Sequence, residues 1–158
     1  MAVYFTSDWH LGHPRMAQLR GFSSLEEHDD AVLEPFRRLA KKDKLFILGD
    51  VVWGNKALPK VGEVRCYKEM LYGNHDTFKA PEYLKYMQKL HGCRSYKGWF
   101  LTHIPVHPQE LRYKGNIHGH IHSMGGTSRI ADPRYFCVNW DFHKGPVNFE
   151  EIEESLKC

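Results

Sequence analysis

The sequence predicts an α/β fold whose functional residues lie at the carboxyl ends of its strands. Short apolar runs, typical of buried strands, alternate with longer segments in which apolar residues recur at helical spacing. Aspartate, asparagine and histidine follow several of the apolar runs. A chain of 158 residues with 42% hydrophobic and 26% charged side chains has room for one core, so we expect residues 1–158 to form a single globular domain.

Two apolar runs in the first third of the chain predict central strands. Residues 2–6 and residues 45–48 each end two positions before an aspartate, Asp8 and Asp50. Uninterrupted apolar runs of this length are typical of strands that are buried on both faces. Each predicted strand therefore delivers a carboxylate at its carboxyl end.

A helix is predicted between these two strands. Ser24, followed three residues later by Glu27, forms a capping box, and apolar residues recur near helical spacing over residues 25–40. Pro35 lies within this segment and has no N–H to donate, so we expect a kink or an interruption there.

The middle of the chain repeats the order of strand and polar cluster. Residues 56–61 predict a short helix, and residues 67–72 predict a strand that runs into the Gly-Asn-His-Asp sequence at 73–76. Pro81 suits the first turn of a further helix, which Gly92 would end.

The last third of the chain predicts shorter strands. Residues 96–102 predict a hairpin that turns at Gly98, and residues 115–118 predict a strand that leads to a pair of histidines. Residues 128–130 and 135–138 predict a final hairpin.

Five clusters of potential metal ligands follow the predicted strands. They are Asp8 with His10, Asp50, Asn74 with His75 and Asp76, His103, and His120 with His122. Carboxylate oxygens, amide oxygens and imidazole nitrogens are ligands that divalent cations accept. Because loops at the carboxyl ends of strands converge on one crevice in α/β folds, we expect these side chains to lie close together.

The spacing within the clusters favours two cations. Asp8 and His10 are two positions apart, so in an extended chain both side chains leave the same face and can reach one ion. His120 and His122 share that spacing, and they can bind the same ion or one ion each. Two ions repel each other, and Asp50, directly after a glycine at a strand end, is the natural bridging carboxylate.

The same clusters, in order, resemble the motifs of the calcineurin-like metallophosphoesterases over residues 2–141. The matching motifs are Asp8-x-His10, Gly49-Asp50, Gly73-Asn74-His75-Asp76, His103 and Gly119-His120-x-His122. The segments around Asp8 and around His120 resemble most closely the small single-domain members found in phages and bacteria.

This resemblance implies a four-layer α/β/β/α sandwich of two mixed β-sheets flanked by helices, with a dinuclear metal site at the carboxyl ends of strands. It implies one metal held by Asp8, His10, Asp50 and His122, and a second held by Asp50, Asn74, His103 and His120. It also implies attack on phosphorus by a metal-bridging hydroxide, with His75 as the catalytic histidine and Asp76 orienting His75 through a hydrogen bond.

Two departures from the family pattern narrow the expected function. Many members continue the second motif to a further Asp and an Arg, whereas here Asp50 is followed by Val51, Val52 and Trp53. The residue before His103 is Thr102, where glycine is frequent. These differences count against a phosphoprotein phosphatase or a dinucleotide hydrolase more than against the metals.

Several other residues have two interpretations. His13 and His107 each lie beside a ligand cluster and either contact substrate or have a structural role. Trp53 either belongs to the core or forms part of an aromatic wall for a base or an aryl group, and Trp9 and Trp99 favour the core. We expect His118 to be a buried strand residue. We expect Arg15, Arg20 and Lys79 to be solvated surface residues.

Composition and cysteine content bound the location and the partners. A formal charge of +3 does not indicate a nucleic-acid binder, and no apolar run approaches the ~20 residues of a membrane span. The four cysteines form no Cys-x-x-Cys pair, and the first residues lack the pattern of a secretion signal. We therefore expect a cytoplasmic protein without a membrane partner, in the host cytoplasm if a phage encodes it.

Three functions compete at this point. The leading one is hydrolysis of small phosphodiesters or phosphomonoesters, including nucleotides, with two ions drawn from Mn²⁺, Fe²⁺, Zn²⁺ and Ni²⁺, and Mg²⁺ as a less suited ion. The second is a nuclease of the same superfamily, which would need a basic or aromatic groove for a strand. The third is a metal-dependent binding scaffold without turnover, against which the presence of His75 argues.

Overall fold

The computed structural model describes residues 1–123 and 129–155. Their strands are β1 (Val3–Thr6), β2 (Lys44–Leu48), β3 (Tyr67–Leu71), β4 (Lys89–His91), β5 (Arg94–Tyr96), β6 (Trp99–Leu101), β7 (Gly115–His118), β8 (Tyr135–Cys137) and β9 (Val147–Asn148). Their helices are α1 (Pro14–Leu19), α2 (Leu25–Arg37), α3 (Ala80–Tyr83), α4 (Trp140–His143) and α5 (Phe149–Ser155), with 3₁₀ turns at Leu58–Glu63 and Pro108–Glu110.

The strands form two mixed sheets. The larger sheet has the order β4-β3-β2-β1-β9, in which β1 to β4 run parallel and β9 runs antiparallel to β1. The smaller sheet has the order β5-β6-β7-β8, in which only the β5–β6 pair is antiparallel among the described strands. Two mixed sheets flanked by helices confirm the predicted fold class.

Alternation along the strands of the larger sheet builds two apolar cores. Leu45 and Ile47 of β2 pack on one face with residues of α2, including Leu33. Phe46 and Leu48 point to the opposite face and pack against the smaller sheet. Both faces of β2 are therefore covered, which explains why its sequence is an uninterrupted apolar run.

Most predicted elements are confirmed within a few residues. The helix predicted over residues 25–40 ends at Arg37, and it continues through Pro35 without interruption. The hairpin that turns at Gly98 is formed by β5 and β6, and the strand over residues 115–118 is found at the predicted bounds. The short helix predicted over residues 56–61 is a 3₁₀ turn displaced by two residues, Leu58–Glu63.

The helix predicted from Pro81 to Gly92 is wrong beyond its first turn. The helix α3 ends at Tyr83, and β4 follows as a parallel edge strand beside β3. The backbone N–H of Tyr72 donates to the carbonyl of His91 at 3.0 Å, so β4 satisfies the polar groups that β3 would otherwise leave open. Tertiary pairing outweighs the helical spacing of the apolar residues here.

The predicted final hairpin is also wrong for the described residues. Arg129 and Ile130 lie outside any strand, while Ser128 falls outside the residues that the structure describes. The strand β8 instead pairs in parallel with β7, with His118 opposite Cys137. This pairing extends the smaller sheet beyond β7 and leaves no need for a hairpin partner.

None of the helices in residues 1–123 and 129–155 is both long enough and apolar enough to cross a membrane.

Candidate metal centre

The polar clusters converge where the carboxyl ends of the two sheets meet. Asp8 follows β1, Asp50 follows β2, and Asn74 lies three residues beyond β3, all from the larger sheet. His103 and His120 follow β6 and β7 of the smaller sheet. The backbone N–H of Gly119 donates to the carbonyl of His103 at 2.9 Å and links the last two turns.

The first group of ligand atoms comes from Asp8, His10 and His122. Their candidate ligand atoms all lie within 4.8 Å of one another. Nε2 of His122 lies 3.3 Å from Nε2 of His10 and 3.5 Å from Oδ1 of Asp8. Two imidazole nitrogens and one carboxylate oxygen thus surround one point.

The second group comes from Asp50, His103 and His120, whose candidate ligand atoms also lie within 4.8 Å of one another. Nε2 of His103 lies 3.3 Å from Nδ1 of His120 and 3.3 Å from Oδ2 of Asp50. The amide oxygen of Asn74 lies 3.0 Å from the same Nε2 atom. Asn74 therefore lies beside this group.

Asp50 lies between the two groups. Its Oδ2 atom is 3.3 Å from Nε2 of His103 and 3.8 Å from Nε2 of His10, which belong to different groups. Its Oδ1 atom accepts the backbone N–H of His75 at 2.9 Å. One oxygen thus faces both groups, which is the placement that a bridging ligand requires.

The unpaired polar atoms of the site fit divalent cations. Oδ1 of Asp8 is buried and has no hydrogen-bond partner among the described residues, although buried carboxylate oxygens are rarely left without one. His103 donates from Nδ1 to the carbonyl of Leu48 at 2.7 Å, so in the neutral ring Nε2 carries a lone pair. That atom faces the oxygens of Asn74 and Asp50, and either a proton or a bound cation there makes the arrangement favourable. Burial disfavours the protonated ring, but the hydrogen bond with Asp50 raises the pKa of His103 to about 9, so a bound cation would displace a proton from Nε2.

Burial and neighbouring charges set the ionisation of the ligands. Burial lowers the pKa of His10 to about 2, which keeps the ring neutral and able to bind metal. Burial opposes ionisation of Asp50, but the hydrogen bond from His103 lowers the pKa of Asp50 to about 2. Burial raises the pKa of Asp8 by more than the charges of His103 and His122 and the hydrogen bond from Ser7 lower it.

Four ligand residues adopt a left-handed backbone. The φ angles are 58° at Asp8, 50° at His10, 53° at Asp50 and 67° at His120. Residues other than glycine rarely adopt this conformation, and each instance costs about 1–3 kcal/mol. The chain therefore turns sharply at the end of a strand to aim these side chains at a common point.

Asp141 and Arg20 support the first group, and the sequence did not reveal either. Nδ1 of His122 donates to Oδ2 of Asp141 at 2.7 Å, which orients the ring so that Nε2 faces Asp8 and His10. Nε of Arg20 donates to Oδ1 of Asp141 at 2.8 Å. The expectation of a solvated Arg20 is wrong, because its side chain is 2% exposed and also donates to the carbonyls of Asp8 and Trp9.

Asp76 does not make the contact that the resemblance implied. Its carboxylate accepts the backbone N–H groups of Asp50 at 2.7 Å, Val51 at 3.0 Å and Gly73 at 2.8 Å, and the hydroxyl of Tyr83 at 3.1 Å. Within the described chain no hydrogen bond joins it to His75. Because four donors already occupy its oxygens, Asp76 braces the turns after β2 and β3 instead of orienting the His75 ring.

His75 is exposed at the rim of the site. Its backbone is anchored to Asp50, as described above, and its ring centroid lies 5.9 Å from that of His10. The Trp53 ring centroid lies 5.4 Å from that of His75, and the indole is 47% exposed. Because His75 is exposed and lies beside both ligand groups, its ring is accessible to a molecule bound there.

Three of the remaining candidate residues are buried, and one is exposed. Trp9 and Trp99 are fully buried in the two cores, and His118 is a fully buried strand residue, as predicted. His107 is exposed, and its Nδ1 accepts the N–H of Gln109 at 3.3 Å at the start of a 3₁₀ turn. These contacts favour a structural role for His107.

The fold and the site define the class of protein. Two mixed sheets carry two groups of aspartate and histidine ligands at their carboxyl ends, with one carboxylate between the groups, as in two-metal hydrolytic enzymes. The chain belongs to the calcineurin-like phosphoesterase family, whose profile matches residues 1–145. The family identifies it as a phosphoester hydrolase in general terms.

Two phage proteins are similar in sequence. The Gene 66 protein of Mycobacterium phage D29 is 29% identical over 191 aligned positions, which cover 98% of this chain and 95% of that protein. The Gene 66 protein of Mycobacterium phage L5 is 34% identical over 81 positions, which cover 47% of this chain and 39% of that protein.

Three solved structures share the fold. A protein of unknown function from Aquifex aeolicus, AQ665, superposes with a TM-score of 0.72 at 26% identity and covers 97% of this chain and 98% of its own. The nuclease MPE of Pseudomonas putida gives 0.54 at 22% identity, covering 76% and 61% of the two chains. An archaeal phosphodiesterase gives 0.51 at 15% identity, covering 88% and 82%. The last two likenesses concern the fold alone.

Proposed function

We propose that this protein is a metal-dependent phosphoesterase that hydrolyses small phosphodiesters or phosphomonoesters, including nucleotides. The observation that carries the proposal is the position of Asp50. Its Oδ2 atom faces both ligand groups, and its Oδ1 atom fixes the backbone of the exposed His75. One side chain thus connects the place for two cations with a histidine that can reach a substrate.

The proposed cofactors are two divalent cations, with Mn²⁺ as the first choice to test. Asp8, His10, Asp50 and His122 would hold one ion, and Asp50, Asn74, His103 and His120 would hold the other. When bound, such a pair supplies Lewis-acid activation of water and neutralises charge on the phosphoryl group. The mixture of carboxylate, amide and imidazole ligands also suits Fe²⁺, Zn²⁺ and Ni²⁺, and suits Mg²⁺ less well.

His75 is the proposed general acid. Its exposed ring stands beside His10, where it can donate a proton to the departing oxygen of the substrate or hydrogen-bond to the phosphoryl group. Asp76 contributes by holding the backbone of the turns that carry Asp50 and His75. We therefore assign Asp76 a positioning role.

The test is hydrolysis of bis(4-nitrophenyl) phosphate and of 4-nitrophenyl phosphate with Mn²⁺. We expect nitrophenol release that a chelator abolishes and Mn²⁺ restores. His75→Gln should lower kcat by about 10²–10⁴-fold with the metal content unchanged, as expected for loss of a general acid. The matched control is His91→Gln. His91 lies on the edge strand β4, and its ring contacts Glu69 of β3 and Arg94 of β5.

The outcomes separate the competing functions. No turnover of any phosphoester by protein that demonstrably holds both metals would refute the enzyme and favour a binding scaffold. Cleavage of single-stranded DNA or RNA far faster than of nucleotides would replace the proposed substrate class by nucleic acid. A His75→Gln variant as active as the His91→Gln control would remove His75 from the mechanism.

The setting of this activity is also a proposal. The ligands come from both sheets, which supports a single domain over residues 1–158. A cytoplasmic location, inside the host cell if a phage encodes the chain, stays a prediction with which the two mycobacteriophage relatives agree.

A further inference from the structure

Trp53 is a large aromatic side chain held in solvent at the edge of the metal centre. It is 47% exposed, whereas Trp9 and Trp99 are fully buried. Its backbone is fixed, because the N–H of Trp53 donates to the carbonyl of Leu11 at 2.8 Å and the N–H of Leu11 donates to the carbonyl of Val51 at 3.0 Å. A fixed backbone lowers the entropy cost of using the exposed indole for binding.

Two histidines flank the indole. The His13 ring lies against it with centroids 4.1 Å apart and planes inclined by 33°. His13 is itself held at the start of α1, where its Nδ1 accepts the N–H of Met16 at 3.4 Å. The ring of His75 lies 5.4 Å from the indole on the side of the metal centre. The indole is thus supported by one histidine and adjoins the proposed general acid.

A cavity of about 320 Å³ opens beside this indole. Trp53, Asn74, His75 and Thr77 line it, so it adjoins both a proposed metal ligand and the proposed general acid. None of these four lining residues is Lys or Arg. The cavity is therefore suited to an uncharged flat group that is attached to a phosphate at the metals, and poorly suited to a second phosphate.

We propose that Trp53 is the specificity-determining residue of the site and binds the aromatic group of the substrate by stacking, most simply the base of a nucleotide. This inference rests on the proposed phosphoesterase function and names its substrate class. Stacking is suited to this task because every base presents a π-face, and removal of an aromatic partner weakens binding of a base by about 5- to 150-fold. Phosphoesters without a flat ring would lose this contribution.

The first test compares AMP with ribose 5-phosphate as inhibitors of bis(4-nitrophenyl) phosphate hydrolysis. The two inhibitors share phosphate and ribose and differ in the base. We expect AMP to inhibit at least tenfold more tightly in the unmodified protein and in Trp53→Phe, and we expect this difference to disappear in Trp53→Ala. Tyr113→Ala is the matched control, because Tyr113 is an aromatic residue that is 84% exposed.

The second test does not depend on turnover. The protein is labelled with 5-fluorotryptophan, and the Trp53 resonance is assigned by its loss in Trp53→Phe. Addition of AMP should shift this ¹⁹F resonance, and ribose 5-phosphate should leave it in place. This readout remains informative if the protein hydrolyses nothing, so failure of the proposed function and failure of the stacking role are distinguishable.

Either of two results would overturn the role of Trp53. One is an AMP preference in Trp53→Ala that equals that of Tyr113→Ala at equal metal content. The other is a Trp53 resonance that AMP moves no more than ribose 5-phosphate does at equal concentration.

Discussion

Asp141→Asn should selectively weaken metal binding by the first ligand group. Asp141 accepts a hydrogen bond from Nδ1 of His122 and thereby leaves Nε2 of that ring to face Asp8 and His10. Burial opposes ionisation of Asp141, but the hydrogen bond from His122 and the charge of Arg20 lower its pKa to about 2, so it is ionised at neutral pH. Asparagine keeps the shape and removes the charge.

The expected loss of affinity follows from two effects on the same imidazole. The neutral amide polarises His122 less than the carboxylate does, which makes Nε2 a poorer ligand. The amide NH₂ can also donate to Nδ1, which stabilises the tautomer that carries its proton on Nε2 and cannot bind metal. Loss of a carboxylate behind a histidine ligand lowers metal affinity about 10- to 100-fold, which equals about 1.4–2.7 kcal/mol.

Stability should fall as well. The side chains of Arg20 and Asp141 are 2% and 1% exposed, so the substitution leaves a buried guanidinium beside a neutral amide. Removal of one partner of a buried pair costs about 3–5 kcal/mol, and the retained hydrogen bond reduces this to about 2–3 kcal/mol. For a chain of this size the melting temperature should drop by roughly 4–12 °C.

The assay is calorimetric titration of the metal-free protein with Mn²⁺, analysed for two sites, together with thermal unfolding. The control is Asp132→Asn, because Asp132 pairs with Arg134 at 2.6 Å on the surface and should change neither quantity by more than about 1 kcal/mol. Equal loss at both sites, or affinities like those of the control, would refute the reasoning that Asp141 acts through His122.

Three further predictions concern the turns and the metals. Gly73→Ala should weaken metal binding by both ligand groups, because a Cβ there would overlap the carboxylate and the backbone nitrogen of Asp50, which faces both groups. Metal content is measured, circular dichroism checks that the variant is folded, and normal metal content in a folded variant would contradict this. Asp76→Ala should lower the free energy of unfolding by about 3–5 kcal/mol in chemical unfolding, because three backbone N–H groups lose their acceptor. Tyr83→Phe removes only the hydroxyl donor to Asp76 and should cost about 1 kcal/mol. Removal of metal by a chelator should lower the melting temperature, and Mn²⁺ should restore it.

Strand ends were predictable because their sequence carries two independent signals. The run at residues 45–48 is apolar at every position, since both faces of β2 are buried, and the polar ligand follows directly. Residues 115–118 are buried but include the polar Asn116 and His118, and there the signal was the pair of histidines that follows the strand. Parallel strands bring their carboxyl ends to one edge of a sheet, so convergence of the ligands followed from the strand pattern alone.

The missed features depend on contacts between distant parts of the chain. Arg20 and Asp141 are 121 positions apart, and neither lies in a pattern that distinguishes a buried ion pair from surface charge. The strand β4 has only three residues, and the apolar residues around it recur at helical spacing. It forms a strand because it pairs with the open edge of β3, which the sequence does not show. The role of Asp76 depends on backbone N–H groups, which no side-chain pattern reports.

The strained turns explain why the site is organised as one unit. Every left-handed ligand residue has its own N–H bound within the site. Asp8 donates to Gly49 at 2.9 Å, His10 to the carbonyl of Asp50 at 3.0 Å, Asp50 to Asp76 at 2.7 Å, and His120 to Oδ2 of Asp8 at 2.9 Å. Each turn is therefore held by a residue of another turn, and the strain is offset only when all of them are in place. Because Asp8 and Asp50 serve both as ligands and as links in this network, damage to one turn should reach both ligand groups.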